Sequence, residues 1–176
     1  MTNWLLRTFI KNSDHPEDPK VRAAVGILSG IVGIFCNILL FGGKLAVGLL
    51  TRSVSITADA MNNLSDATSS VVTMLGFRLA ERPADEEHPF GHARYEYLSG
   101  LAVSALILIT GVELAKSSLD KVLHPAAVEF GWTTAAVLAG SILVKLWMSL
   151  FNTKLGKTIH SATLAATAAD SRNDVI

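Results

Sequence analysis

Long apolar segments separated by short polar stretches restrict the fold of this chain more than any other feature. Four of them, at residues 25–50, 54–79, 95–115 and 132–151, are close to or above the ~20 residues that a helix needs to cross a bilayer. Half of all residues are hydrophobic and only 17% are charged, against roughly a quarter in ordinary soluble domains. The sequence therefore predicts an all-α, polytopic membrane helix bundle.

A fifth segment starts near Ser161, and the chain stops inside it at Ile176. It is too short to cross a bilayer on a helical rise of ~1.5 Å per residue. We therefore expect four complete spans plus the start of a fifth, in a transmembrane domain at 25–176 that is truncated in its fifth helix. Residues 1–24 lack the long apolar region of a secretory signal, so we expect a cytoplasmic N-terminal tail.

Positive charge predicts the orientation of the bundle. Lys and Arg are concentrated before the first span and in the loops after the second and fourth spans, whereas the other two loops hold fewer. Because cytoplasmic loops carry an excess of these residues, we expect a multi-pass protein of the cell membrane with a cytoplasmic N-terminus.

The second span, which contains SITADAMNNLSDATSSVV, holds polar residues at membrane depth. Asn62 and Asp66 are four residues apart and share one face of a helix, with Asp59 on nearly the same face. A charge at this depth costs at least ~2.5 kcal/mol, so the face predicts a site for a cation or for protons. A hydrogen-bonded contact between helices is the alternative. Asn63 points about 100° away from Asn62 and is expected to be a packing amide.

The fifth segment repeats this spacing with Asp170 and Asp174. Two helices with paired oxygen ligands can supply four side chains to one cation. A metal is a better prediction than an organic ligand, because no aromatic box or glycine-rich phosphate loop accompanies these residues. The alternative is a pair of solvated acids at the end of a surface helix.

The loop PADEEHPFGHARYEY contains a second candidate metal site formed by Asp85, His88 and His92. Imidazole and carboxylate groups suit zinc and other transition metals. Solvated loop residues that order the helix ends are the alternative interpretation.

Charge and cysteine content limit the other functional classes. The formal net charge is zero, which gives no indication of a nucleic-acid partner. Cys36 is the single cysteine, so an internal disulfide is excluded.

Lys44 and Glu113 lie near the outer ends of spans, where they are expected to extend toward the headgroups. Lys145 lies deeper and is expected to pair with an acid that the sequence does not identify.

The linked motifs SVSITADAMNNLSD and PADEEHPFGHARYEY resemble those of the cation diffusion facilitator family. The resemblance extends from the first span into the fifth. It implies a homodimer with six transmembrane helices per subunit and a cytoplasmic C-terminal domain, which exports divalent metal ions in exchange for protons. This chain is similar to the N-terminal transmembrane part only, so the C-terminal cytoplasmic domain is expected to be absent from it. The resemblance implies a secondary active transporter, not an enzyme, and no cofactor other than the transported metal.

The resemblance also assigns the residues of the metal sites. The family's transport site takes two residues from the second helix and two from the fifth. The matching positions are Asn62, Asp66, Asp170 and Asp174. Zinc-transporting relatives usually have histidine at one or more of these positions, whereas this sequence has none. The residues that match a second, cytoplasm-facing site seen in some members are Asp85, His88 and His92.

One amide and three carboxylates form an all-oxygen ligand set. Oxygen ligands suit Mg, Ca and Mn, whereas imidazole suits Zn, Cu and Ni. With the similarity to the manganese-exporting members, this predicts proton-coupled efflux of Mn²⁺, with Zn²⁺ or Fe²⁺ next. A non-transporting membrane interaction subunit is the alternative from another class. A metal hydrolase built on the loop ranks lower, because no nucleophile or general base accompanies it.

Overall fold

Five helices make up most of the described part of the computed structural model, which comprises residue 10 and residues 17–124 and 131–175. They are α1 Pro19–Leu50, α2 Val54–Ala80, α3 Tyr95–Leu123, α4 Trp132–Ile159 and α5 Ala162–Asn173. No strand occurs in these ranges, and the prediction of an all-α membrane helix bundle is confirmed. Most of the tail predicted at residues 1–24 lies outside the described residues.

Three of these helices are long and apolar enough to cross a membrane: α1, residues Tyr95–Asp120 of α3, and α4. Helix α2 has 27 residues, which gives a length of about 40 Å. It contains more polar residues than the other three helices, so it is less apolar than they are. Helix α5 has 12 residues, or about 18 Å.

Capping residues set the helix boundaries. Asp18 accepts a hydrogen bond of 2.9 Å from the backbone N–H of Lys20, and Pro19 follows it, so α1 begins before the predicted boundary at residue 25. Ser53 and Ser161 cap α2 and α5 in the same way. His160 adopts a left-handed backbone conformation, with φ of 50°, and this turn joins α4 directly to α5.

Helix α2 buries several polar residues and exposes several apolar ones. Its buried face includes Asn63, Asp66, Ser70 and Thr73, whose spacing of three and four residues follows one side of a helix. Val54, Met61 and Leu75 are exposed. This arrangement suits a bundle surrounded by lipid, in which polar groups at membrane depth must face protein.

Helices α1 and α2 pack closely because glycines line their contact. A Cβ atom built on Gly30 would lie 2.5 Å from the Cβ of Met74, and one on Gly33 would lie 2.6 Å from the Oγ of Ser70. Both distances are shorter than real contacts, so a larger residue at either position would force its neighbours to shift. Glycines of the first span therefore allow the close packing of α1 against α2.

An apolar cluster and an ion pair hold one end of the bundle together. Helices α1, α2, α4 and α5 contribute the buried cluster of Val21, Val25, Phe77, Phe151, Leu155, Ile159 and Leu164, with Ile10 beside it. Arg22 of α1 pairs with Glu96 of α3 at the same end. The start of α1, the loop after α2 and the turn after α4 therefore share one end of the bundle, as the charge pattern requires.

Candidate functional site

Three carboxylates from two helices meet inside the bundle. Asp66 lies near the middle of α2, Asp170 lies in the last turn of α5, and Asp174 is the C-cap residue of α5. One carboxylate oxygen from each lies within 4.8 Å of those from the other two. Asp66 is buried, and the other two are half-buried. The cluster presents several oxygen ligands to one point, which is an arrangement that a hard divalent cation prefers.

Lys145 of α4 donates to two of these carboxylates. Its Nζ atom lies 2.6 Å from Oδ2 of Asp66 and 2.6 Å from Oδ2 of Asp174, and the residue is only 2% exposed. The sequence predicted an acidic partner for Lys145 without identifying it, and the structure supplies two. The signal in the sequence was a lone charge in an apolar segment, which requires a partner at membrane depth.

The two asparagines of α2 differ in their surroundings. Asn62 is half-buried and lies one helical turn before Asp66. Asn63 is buried, and its Nδ2 donates 2.9 Å to the carbonyl oxygen of Asp59, which agrees with the expected packing amide. The Oδ1 atom of Asn63 is buried and has no hydrogen-bond partner among the described residues.

A second buried lysine pairs with Asp59. Lys44 of α1 is 4% exposed, and its Nζ atom lies 2.8 Å from Oδ2 of Asp59. The expectation that Lys44 extends toward the headgroups is therefore wrong, because an acid on the neighbouring helix is within its reach. Glu113 of α3 is exposed.

Side-chain hydrogen bonds fix the helices around the acidic cluster. Ser149 Oγ donates to the carbonyl oxygen of Ala168 over 2.9 Å, which joins α4 to α5 next to Asp170. Ser29 Oγ donates to Oδ1 of Asn152 over 2.7 Å, which joins α1 to α4. The cluster thus lies between helices whose relative positions are set by specific polar contacts.

The loop between α2 and α3 brings Asp85, His88 and His92 together. Their ligand atoms lie within 4.8 Å of one another. Oδ1 of Asp85 is 3.3 Å from Nδ1 of His88, and Oδ2 of Asp85 is 3.4 Å from Nε2 of His92. The other ring nitrogen of His92 lies 3.0 Å from the carbonyl oxygen of Pro83, which orients the ring as a backbone carbonyl orients many metal-binding histidines.

Backbone geometry shapes this loop for the cluster. Gly91 has a φ of +77°, a conformation that suits glycine, and its N–H donates 2.9 Å to the carbonyl oxygen of His88. The backbone N–H of His88 donates 2.7 Å to Oδ1 of Asp85. This bond, with smaller contributions from the two imidazoles, lowers the pKa of the Asp85 carboxyl below its ordinary value, so Asp85 is charged at neutral pH.

A profile of the cation efflux transmembrane domain matches residues 30–176, the region that contains the acidic cluster and the loop of Asp85, His88 and His92. The chain belongs to the cation efflux family. The resemblance to cation diffusion facilitators, carried by the motifs of α2 and the following loop, is confirmed.

Several curated proteins are similar to this chain. The manganese efflux system protein MneS of Bacillus subtilis is 31% identical over 85% of this chain and 51% of its own length. The uncharacterized transporter YdbO of the same organism is 35% identical, also over 85% and 51%. The manganese efflux system protein MneP is 26% identical over 83% of this chain and 49% of its own. The chain spans about half the length of the curated relatives that it matches.

Proposed function

We propose that this protein exports a divalent metal cation from the cytoplasm in exchange for protons, and that Mn²⁺ is its preferred ion. The observation that carries the proposal is the meeting of Asp66, Asp170 and Asp174 within 4.8 Å. Asn62, one turn from Asp66, supplies the fourth ligand through its amide oxygen.

The ligand types favour manganese. Four oxygen donors suit Mn²⁺ better than Zn²⁺, which is usually bound by imidazole or thiolate. Two relatives are named manganese efflux proteins, which supports the same choice. Fe²⁺ and Zn²⁺ follow as alternative cargo ions.

Proton exchange follows from the charge of the cluster. Three carboxylates at membrane depth require positive charge nearby; Lys145 supplies one charge, and either a metal ion or protons can supply the rest. Protons that replace the departing metal would couple the two flows in opposite directions, around a site near the middle of the membrane.

The orientation and assembly are part of the same proposal. The bundle end that carries Arg22 and the loop of Asp85 faces the cytoplasm, because basic residues are concentrated at that end. The functional unit is a homodimer, as the family resemblance implies, and chemical cross-linking in membranes tests this.

The function is tested with the protein reconstituted in sealed vesicles. We expect a pH gradient to drive Mn²⁺ uptake faster than Zn²⁺ uptake, and Asp170→Asn to abolish uptake of both. The matched control is Asp120→Asn, because Asp120 lies on the exposed end of α3, where its side chain is 76% exposed, and we expect no change there.

Other results of the vesicle experiment would contradict the choice of metal, the proton exchange or transport itself. Faster uptake of zinc than of manganese would show that the choice of metal is wrong. Gradient-independent uptake would contradict proton exchange. If neither ion moves, the acidic cluster only joins helices, and the interaction-subunit interpretation replaces the transporter.

The loop supports a second proposed site. We propose that Asp85, His88 and His92 bind a transition metal ion such as Zn²⁺, because one carboxylate and two imidazoles already lie within 4.8 Å. Zn²⁺ titration should show a site that His88→Ala removes. His124→Ala is the control, since His124 pairs with an aspartate in a largely exposed position. Equal zinc binding by both variants would contradict the loop site.

A further inference from the structure

Lys145 contacts the proposed transport site without being one of its ligands. The four proposed ligands come from α2 and α5, whereas Lys145 comes from α4. Its ammonium nitrogen is 2.6 Å from an oxygen of Asp66 and 2.6 Å from an oxygen of Asp174. The two aspartates belong to different helices, so the ammonium bridges them.

This bridging position is one that a bound cation would use. A divalent ion held by Asp66 and Asp174 would lie between the same two side chains, at ~2.0–2.6 Å from their oxygens. An ammonium group and a metal ion that close together repel each other strongly in a buried site. The two cations therefore compete for the same carboxylates.

We propose that Lys145 is a tethered counter-cation, which holds the carboxylates of α2 and α5 together in the metal-free protein and is displaced by the incoming divalent ion. The inference rests on the proposed function, since it requires that the metal binds at this cluster. The flexible four-carbon stem of lysine lets the ammonium leave without movement of the α4 backbone.

A tethered single charge would also discriminate between ions. A monovalent ion brings no more charge than the ammonium that it must displace, and it must also be taken from water. A divalent ion brings twice that charge and gains more from the three carboxylates. Lys145 would therefore weaken the binding of every cation, and it would exclude Na⁺ and K⁺ most effectively.

The test is Mn²⁺ binding to the purified protein, measured by electron paramagnetic resonance with and without added NaCl. We expect Lys145→Met to bind Mn²⁺ about tenfold more tightly than wild type, because no ammonium has to be displaced. Added Na⁺ should weaken this binding in Lys145→Met much more than in wild type. Lys154→Met is the matched control, since Lys154 lies on the same helix in an exposed position, and it should bind Mn²⁺ as wild type does.

Thermal unfolding supplies a second readout. The metal-free Lys145→Met protein should melt at a lower temperature than wild type, since its carboxylates have lost their partner, and Mn²⁺ should raise its melting temperature more. If Lys145→Met does not fold, Lys145→Gln keeps a hydrogen-bond donor without the charge and should show the same tighter binding.

Two results would overturn the inference about Lys145 and leave the proposed function standing. Unchanged Mn²⁺ affinity in Lys145→Met would show that the ammonium does not compete with metal. Weaker affinity would show that Lys145 remains in the loaded site as a supporting group. If the wild-type protein binds no Mn²⁺, or if Asp170→Asn binds Mn²⁺ as wild type does, the proposed transport site itself fails. The inference about Lys145 then fails with it.

Discussion

Arg22 and Glu96 form a two-pronged ion pair that joins the start of α1 to the start of α3. Nε and Nη2 of the guanidinium donate to the two carboxylate oxygens over 2.7 and 2.8 Å. Arg22 also donates to the carbonyl oxygen of Ile159, and Ser161 Oγ donates 2.8 Å to Glu96. One ion pair thus connects α1, α3 and the turn between α4 and α5, and such bidentate contacts are stronger than single ones.

We expect Glu96→Ala to destabilise the bundle substantially. The change leaves the guanidinium without its carboxylate, and because the Arg22 side chain is 29% exposed, water offsets part of the loss. A decrease of about 2–3 kcal/mol in the free energy of unfolding is expected, measured by denaturation in detergent. Asp120→Ala, which breaks the exposed pair with His124, should change nothing measurable. Equal effects of the two variants would contradict a structural role for the Arg22 pair.

The contact between α1 and α2 makes opposite predictions for two glycines of the same helix. Gly30→Ala would place a methyl group 2.5 Å from Met74 and should cost about 1–3 kcal/mol by forcing the helices apart. A methyl group on Gly43 would meet nothing within 4 Å, so Gly43→Ala should be neutral or stabilise by up to ~1 kcal/mol. Melting temperatures of the two variants distinguish the sites, and a stable Gly30→Ala protein would rule out this close contact.

Asn37 carries a buried amide oxygen that has no hydrogen-bond partner among the described residues. Replacing it by leucine removes an unsatisfied acceptor, so Asn37→Leu should stabilise the protein by about 1 kcal/mol. Asn152 is equally buried, but its Oδ1 accepts a hydrogen bond from Ser29, so Asn152→Leu should destabilise. Thermal unfolding of both variants tests this difference in stability. Equal effects of the two substitutions would show that ordered water already satisfies the Oδ1 atom of Asn37.

Asn62 is the position at which the metal preference should change most easily. Asn62→His introduces an imidazole one turn from Asp66, and imidazole suits Zn²⁺ better than Mn²⁺. We expect the ratio of zinc to manganese uptake in vesicles to rise by about tenfold. Thr68→His places the same side chain on an exposed face of α2 and should leave the ratio unchanged. An unaltered ratio in Asn62→His would exclude Asn62 from the ligand set.

The loop should keep its structure in mild acid and lose it only at low pH. The Asp85 pKa is lowered, chiefly by the backbone hydrogen bond from His88. The stabilisation is therefore present above the pKa of the unfolded chain, about 3.9, and is lost as the pH falls through the lower pKa of the folded loop. Hydrogen exchange at the His88 amide should stay slow down to about pH 4. Loss of protection well above that pH would contradict this hydrogen bond.

The helices were predictable from the sequence, but their ends were less so. Apolar blocks located the four long helices, since each block must be buried in lipid or protein. Helix α3 continues to Leu123 instead of ending near residue 115, because no glycine or proline interrupts the polar residues that follow its apolar part. Apolar length measures the membrane-embedded part of a helix, whereas the helix itself ends at a cap.

The acidic pairs were predictable as single-helix patterns, and their partners were not. The spacing of Asp170 and Asp174 is local and can be counted along the chain. The pairing of Lys145 with Asp66 depends on which faces of α2 and α4 meet, and no local pattern contains that information. The same reason explains why the pair of Arg22 and Glu96 was not anticipated from sequence.

The buried polar face of α2 has a consequence for biosynthesis. A segment with Asn63, Asp66, Ser70 and Thr73 along one side gains little from entering lipid alone. Its close glycine-lined contact with α1, and the short turn at Arg52 between the two helices, allow the two to leave the translocon as one hairpin. Membrane insertion of α2 should therefore depend on the helix synthesised immediately before it.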